Sequence, residues 1–352
     1  MMLAKGEASG DRISAVPSDD GLVLLANQAM RGRRRPVMIV VMWAWYAVWG
    51  FILAWPASRL VADAYGSHPA ADAPLFRPGG LELFDLVLHS QRAFATLRGH
   101  ILLVLPVVLV AGLLPLTALM TSITYTTRDR RSPRFRQLIA RAAVSFKPML
   151  LLLLLATILE LTLVGVGSGL GVWAGSGLTS SFGDARADQI GVLVTVVFFL
   201  FAMAVGVLHD LARAAVVRFQ VSGLRAVVLG WNAYKRHPIV SFWSWSWRAA
   251  AGIVPIVAGS VVAERLGGRG GGGFLMLVAM HQLVIGARVA LRTSWLAKAI
   301  RAVDHAHRVI RSARSSTSSS IEPAPPSTIS PAVTETAART DERGVPILDR
   351  DA

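Results

Sequence analysis

Six stretches of this chain are each long and apolar enough to cross a bilayer, at about 37–59, 101–124, 148–174, 189–211, 239–263 and 274–297. A hydrocarbon core of roughly 30 Å needs about 20 apolar residues in a helix. Backbone groups in lipid must bond within their own element, so apolar runs of this length predict transmembrane helices. Composition agrees: 53% of residues are apolar and only 16% are charged, against about 25% charged in an ordinary soluble domain. Mean hydropathy is +0.52. The expected fold class is therefore an all-α integral membrane bundle of six transmembrane helices arranged as three hairpins. The fifth stretch is the least regular, because Arg248 interrupts it and the preceding "SFWSWSW" has the tryptophan richness of a membrane interface.

The distribution of cations gives the direction. Lys and Arg number six before the first stretch, seven in 125–147, five in 212–238 and six in 292–314. The alternate connections 59–100, 175–188 and 264–273 carry four, one and two. By the positive-inside rule both termini are expected in the cytoplasm. The net charge of +15 thus marks topology and attraction to anionic lipid headgroups at the cytoplasmic face; no nucleic-acid partner is expected. Only four of the 36 basic residues are lysine, a bias of high-GC bacterial genomes that suggests a bacterial inner membrane. The chain has no cysteine, which excludes disulfides and thiolate chemistry. "RGRRRPVMIV" (Arg31 to Val40) imitates the start of a signal peptide, but the long run after it reads as a retained anchor.

Three inward-facing connections share a form: "DGLVLLANQAMRGRRRP" (Asp20 to Pro36), "SPRFRQLIARAAVSFKP" (Ser132 to Pro148) and "SGLRAVVLGWNAYKRHP" (Ser222 to Pro238). Asp or Ser suits a helix N-cap, and proline suits the first turn of the next helix, where its missing N–H is not needed. Between them the pattern predicts a short amphipathic helix on the cytoplasmic interface, with cations at its negative C-terminal end. Six stretches in three pairs invite comparison with mitochondrial carriers, but the Pro-x-acidic-x-x-basic signature of those proteins is absent. Together with "HDLARAAVVR" and "ARVALRTSWLAKA" at the ends of the fourth and sixth stretches, these features resemble a loosely defined group of bacterial six-span proteins. That group is similar to the membrane domain found beside some glycerophosphodiester phosphodiesterases. The resemblance covers roughly residues 20–310, implies an integral membrane module, and carries over no catalytic motif or residue role.

Domain organisation follows: a disordered arm over 1–19, a membrane domain over 20–311, and a disordered tail over 312–352. The tail ("SSTSSSIEPAPPSTISP") is too poor in apolar residues to offset its ordering entropy. In the large outer connection, "LELFDLVLHSQRAFATLRGH" can form an amphipathic interfacial helix. His68, His89 and His100 lie in that connection at spacings that match no metal-ligand pattern. "DHAH" (Asp304 to His307) reads as a solvated helix end.

Ionisable groups inside apolar stretches are costly and mark function or compensated pairs. The candidate cluster comprises Glu160, His281, Asp210, Arg213, Arg248 and Arg288. At 1.5 Å per residue Glu160 lies roughly 18 Å from the inner edge, and His281 roughly 10 Å from the outer one. A Glu160–His281 pair is geometrically allowed. Asp210 shares the inner third with Arg248 and Arg288, which are natural counter-ions for it, and Arg213 follows at i+3 on its own helix. In "VLHDLARAAVVRF" (Val207 to Phe219), Arg213 and Arg218 then read as inside-facing anchors and His209 as interfacial. His281, Arg288, Arg292 and Trp295 share one helical face, expected to turn toward the bundle.

Two functions compete for these groups. A transporter would relay a proton or cation through Glu160 and His281 and gate at Asp210. A structural or interaction module would use them as ties within the bundle. Glycine pairs Gly165/Gly169 and Gly167/Gly171 in "GVGSGLGVWAGSG" fit either glycine-interrupted helices or close helix packing. Polar groups along the stretches are few, which favours the module, working through lipid contacts, a membrane-protein partner or a second copy of itself. No HExxH, GxSxG, Walker or dinucleotide motif occurs, so neither an enzyme nor a cofactor is expected.

Overall fold

The computed structural model describes residues 22–25, 36–65, 81–127, 133–266 and 270–319. The elements are β1 (Leu22–Leu24), α1 (Pro36–Tyr65), α2 (Leu81–His89), α3 (Gln91–Thr124), β2 (Tyr125–Thr127) and α4 (Phe135–Val144). They continue with α5 (Phe146–Gly177), α6 (Thr179–Phe182), α7 (Asp184–Phe219), α8 (Gly223–Arg236), α9 (Pro238–Ala251), α10 (Val254–Leu266) and α11 (Gly270–Ser319). Five of the helices, α1, α3, α5, α7 and α11, are long and apolar enough to cross a membrane. The chain is thus an all-α, membrane-type bundle, and α1, α3, α5, α7 and α11 contain the expected first, second, third, fourth and sixth stretches.

The expected fifth stretch, 239–263, is not one helix. It divides into α9 and α10 at Gly252–Ile253. Pro255 is the physical cause: it has no N–H for the carbonyl of Ala251 and its ring crowds the preceding turn. The ladder tightens before it, with Gly252 N–H shared between the carbonyls of Arg248 (3.0 Å) and Ala249 (3.1 Å) and Ile253 N–H donating to Ala250 (2.9 Å).

The three expected interfacial helices fare differently. The third is α8, with Ser222 at the N-cap position, although its hydroxyl makes no capping bond. The second is α4, but the cap is Arg134 rather than Ser132, and Gln137 Oε1 accepts the Arg134 N–H at 3.0 Å. The first is corrected at its start, where Leu22–Leu24 form a strand antiparallel to Tyr125–Thr127. The apolar run finds unpaired backbone where α3 ends, and Leu25 N–H donates to Thr124 O at 2.9 Å. Residues 26–35 of that connection lie outside the described residues, as do the 1–19 arm, His68, and the tail beyond Ser319. Pro36, Pro148 and Pro238 all occupy first turns, in α1, α5 and α9. The amphipathic segment 81–100 is helical but breaks at Ser90, and its second half runs directly into α3. Helix α11 continues past 312, the expected start of the tail, through Ser319.

Burial is concentrated at one end of the bundle. It takes Met38 and Met42 from the start of α1, Leu113 to Ile123 from the end of α3, and Met149 to Leu153 from the start of α5. Val207 to Val217 of α7 and Val289 to Ala306 of α11 complete it. Each long helix thus contributes the end that adjoins a basic connection. Elsewhere the helices present bare apolar side chains such as Leu102, Leu103, Leu161, Val172 and Phe199, as a lipid-facing surface would.

Of the two glycine pairs, Gly167 and Gly171 face α7. A Cβ on Gly171 would lie 2.8 Å from Gly191 O, and one on Gly191 would lie 2.5 Å from Gly171 O, so the two backbones touch. Gly165 and Gly169 face open space.

Candidate functional site

The C-terminal half of α7 is enclosed on all sides because α8 folds back along it. Gln220 makes the reversal in a left-handed conformation (φ 53°), and Gly230 lets α8 approach so closely that a Cβ there would lie 2.9 Å from Ala212 N. Every residue from Asp210 to Arg218 is buried as a result. This segment carries one acid and two arginines, and a buried charge must be paired and hydrogen-bonded.

Asp210 is 2% exposed and receives four hydrogen bonds from two other helices. Arg292 of α11 forms a two-pronged pair, Nη1 to Oδ2 and Nη2 to Oδ1, each at 2.5 Å. Trp295, one turn on, donates Nε1–H to Oδ2 at 2.8 Å, and Trp245 of α9 donates to the same oxygen at 3.2 Å. Arg213 Nη1 stands 3.8 Å from Oδ1. One carboxylate therefore ties α7, α9 and α11 together, in the fork geometry that makes arginine–carboxylate pairs strong.

A second centre lies further along α7 and α11. Arg218 Nε donates to Asp304 Oδ1 at 2.8 Å, and Arg308 Nε to Oδ2 at 3.1 Å, with Arg308 Nη2 also in contact. His307 packs against Phe219 in a tilted ring contact, 4.6 Å between ring centres. Asp304 is 4% exposed, which corrects its reading as part of a solvated helix end. Arg213 and Arg218 are likewise buried, paired side chains rather than surface anchors. His209 is half-buried, and its buried Nε2 has no hydrogen-bond partner among the described residues. At the same end Tyr125 donates its hydroxyl to Val217 O at 3.2 Å, under the guanidinium of Arg141. Burial pushes the Tyr125 phenol above its ordinary pKa.

The remaining expected residues part company. Arg248 is not a counter-ion of Asp210: its Nη1 donates to the backbone and hydroxyl oxygens of Ser244 at 2.5 and 2.6 Å, its Nε reaches Ser294 Oγ at 3.4 Å, and it lies over the Trp247 ring. Arg288 is exposed and, among the described residues, unpartnered. Arg292 took its place because it sits one turn closer to the buried end. Glu160 is half-buried on α5, near Gly206 of α7, and His281 is exposed on α11; they share no hydrogen bond or ion pair. His89 is paired with Asp85, Nδ1 to Oδ1 at 3.0 Å, and no group of three metal-ligating side chains occurs among the described residues.

His281, Arg288, Arg292 and Trp295 do share a face, and it borders a cavity of about 580 Å³ between α1, α9 and α11. Tyr46, Trp245, Arg248 and Gly252 complete its polar and aromatic side, while Asp210 lies behind its Arg292 and Trp295 wall. Comparison with family models, with curated proteins and with solved structures finds no match for this chain, so its function is argued from this geometry alone.

Proposed function

We propose that the chain is a bacterial inner-membrane module that crosses the bilayer six times as three hairpins, with both termini cytoplasmic, and acts through lipid or protein contacts. The single observation that carries the module reading is the saturation of Asp210 by four donors. A carboxylate held that way is a tie between helices, not a carrier that loads and unloads protons. The lack of contact between Glu160 and His281 supports the same reading, since a relay needs groups within hydrogen-bond reach.

Six crossings are supported by connectivity. Helices α7 and α8 end at the buried end of the bundle and α11 brings its C-terminal half to that same end, which supports a crossing by α9 and α10 between them. With 14 and 13 residues they supply about 40 Å of helix, enough for a core of roughly 30 Å. The cation asymmetry of the connections supports the cytoplasmic placement of that end.

Small-solute or proton-coupled transport through Glu160, His281 and Asp210 is the second reading, and one observation favours it: the cavity reaches a helix break. Purified protein in sealed vesicles separates the two. Glu160→Gln and Asp210→Asn are compared with the parent chain for folding stability and for flux coupled to a proton gradient. The module reading expects Asp210→Asn to lose stability and no flux to exist in the parent. Proton-coupled flux that Glu160→Gln abolishes without loss of stability would overturn it.

A further inference from the structure

The cavity between α1, α9 and α11 has a charge imbalance that the ion-pair network does not relieve. Among the described residues its lining holds three arginines and a histidine and no carboxylate. Arg292 is neutralised by Asp210 behind the wall. Arg248 bonds only neutral oxygens of Ser244 and Ser294, and Arg288 has no partner among the described residues. Lys298 and Arg301 lie within electrostatic reach of Arg248 and add to the positive field. Among the described residues these two guanidinium charges have no counter-ion, and in a recess of a membrane bundle such charges are expensive unless an anion joins them.

Three further features define what that anion is attached to. The α9–α10 break brings Gly252 into the lining, and irregular backbone at membrane depth is tolerated where it borders a polar cavity. Trp245 and Tyr46 line the recess and Trp247 lies beneath Arg248, giving the aromatic composition of the headgroup level. Beyond the rim the surface is aliphatic and aromatic: Phe51 beside Gly50 on α1, Ile253 beside Gly252 at the α9–α10 break, and Val257 on α10 are all exposed. A ligand with an anionic head and an apolar tail matches this sequence of surfaces. The volume of about 580 Å³ suits a small headgroup, being within the ordinary range of small-molecule sites. Two arginine forks match phosphate geometry better than a lysine pair would.

We propose that this cavity binds the phosphate-bearing headgroup of an anionic membrane lipid, with Arg248 and Arg288 as its ligands and the acyl chains lying along α1 and α10. The inference deepens the lipid-contact reading above and rests on it.

The test uses the full chain in phosphatidylcholine nanodiscs containing spin-labelled phosphatidylglycerol or spin-labelled phosphatidylcholine, and measures the motionally restricted fraction of each. The parent chain should prefer phosphatidylglycerol several-fold. Arg288→Gln, which removes no intramolecular bond, should reduce that preference at least threefold, and Arg248→Gln/Arg288→Gln should abolish it. Arg225→Gln/Arg236→Gln, at exposed positions of α8, should lower it less than Arg288→Gln does alone, because these residues contribute only general attraction to the anionic surface. Preference that survives the cavity substitutions, or that falls equally with the α8 pair, overturns the cavity site and leaves general lipid contact standing. Absence of any preference in the parent chain overturns both readings. A thermal stabilisation by inorganic phosphate that needs Arg288, without lipid preference, overturns the lipid source in favour of a soluble phosphate.

Discussion

Replacing Asp210 by Asn keeps shape and volume but changes the one group that ties α7, α9 and α11. The carboxylate accepts from Arg292 twice, from Trp295 and from Trp245. A carboxamide offers one acceptor oxygen, and its NH2 would face N–H donors, so Arg292 Nη2 loses its partner if the oxygen takes the Oδ2 position, and three donors lose theirs if it takes the other. Each orphaned donor costs about 1–3 kcal/mol, and breaking a buried ion pair by removing one partner costs about 3–5 kcal/mol. Interhelical hydrogen bonds inside membranes average only about 0.6 kcal/mol, because the unfolded chain in lipid finds other partners. Since Asp210 is charged and 2% exposed, the ion-pair figure should govern, and Asp210→Asn should destabilise the fold by about 3–5 kcal/mol. Unfolding in mixed micelles, followed by tryptophan fluorescence and circular dichroism, measures this. Arg292→Met alone should cost a comparable amount, and the double variant should cost less than the sum by at least about 2 kcal/mol, as expected for residues in one network. A loss below about 1 kcal/mol for Asp210→Asn, with an additive double variant, would refute the tie and place the pair at the value of an ordinary membrane hydrogen bond.

Two other substitution pairs probe the ends of the bundle by the same assay. Asp304→Ala should cost about 3–5 kcal/mol because it strands the buried Arg218, whereas Arg308→Ala, whose side chain is 58% exposed, should cost under about 1 kcal/mol; equal losses would show that burial does not decide the matter. Gly191→Ala should cost at least about 1–3 kcal/mol because its Cβ would meet Gly171 O at 2.5 Å, whereas Gly169→Ala, facing open space, should be neutral or slightly stabilising.

The helices were legible because lipid imposes a length and a composition that can be counted along the chain. The break in the fifth stretch had its own signal, Gly252 followed three residues on by Pro255, but a proline inside an apolar run is ambiguous. Pro56, Pro106 and Pro115 sit within continuous helices α1 and α3. A glycine one turn earlier does not set Pro255 apart, because Gly112 stands at the same spacing before Pro115 inside continuous α3. The strand at Leu22–Leu24 was not legible, because its partner Tyr125–Thr127 lies a hundred residues away and "GLVLL" satisfies either periodicity. Its pairing is set by where α3 runs out of hydrogen-bond partners, a tertiary circumstance.

Depth arithmetic found that Asp210 needs an arginine from another helix, and it put Arg292 and Trp295 on the right face of α11. It could not choose among Arg248, Arg288 and Arg292, because depth is one coordinate and pairing needs three. The discriminating quantity is distance along α11 from the buried end. Arg292 and Trp295 lie beside Thr293, Leu296 and Ala297, all buried, whereas Arg288 lies a turn back where the bundle opens. The same gradient explains the second centre. Asp304 looked solvated because "DHAH" is polar on every side, but α11 is far longer than the membrane core requires, and its excess length packs along α7 to reach Arg218. Charge within an apolar stretch therefore carried two meanings here. Where the bundle is closed, acids recruit arginines and lock helices together; where it opens, the arginines left over face a cavity whose described lining holds no carboxylate. The acids at Asp210 and Asp304 account for the first set, and Arg248 and Arg288 constitute the second.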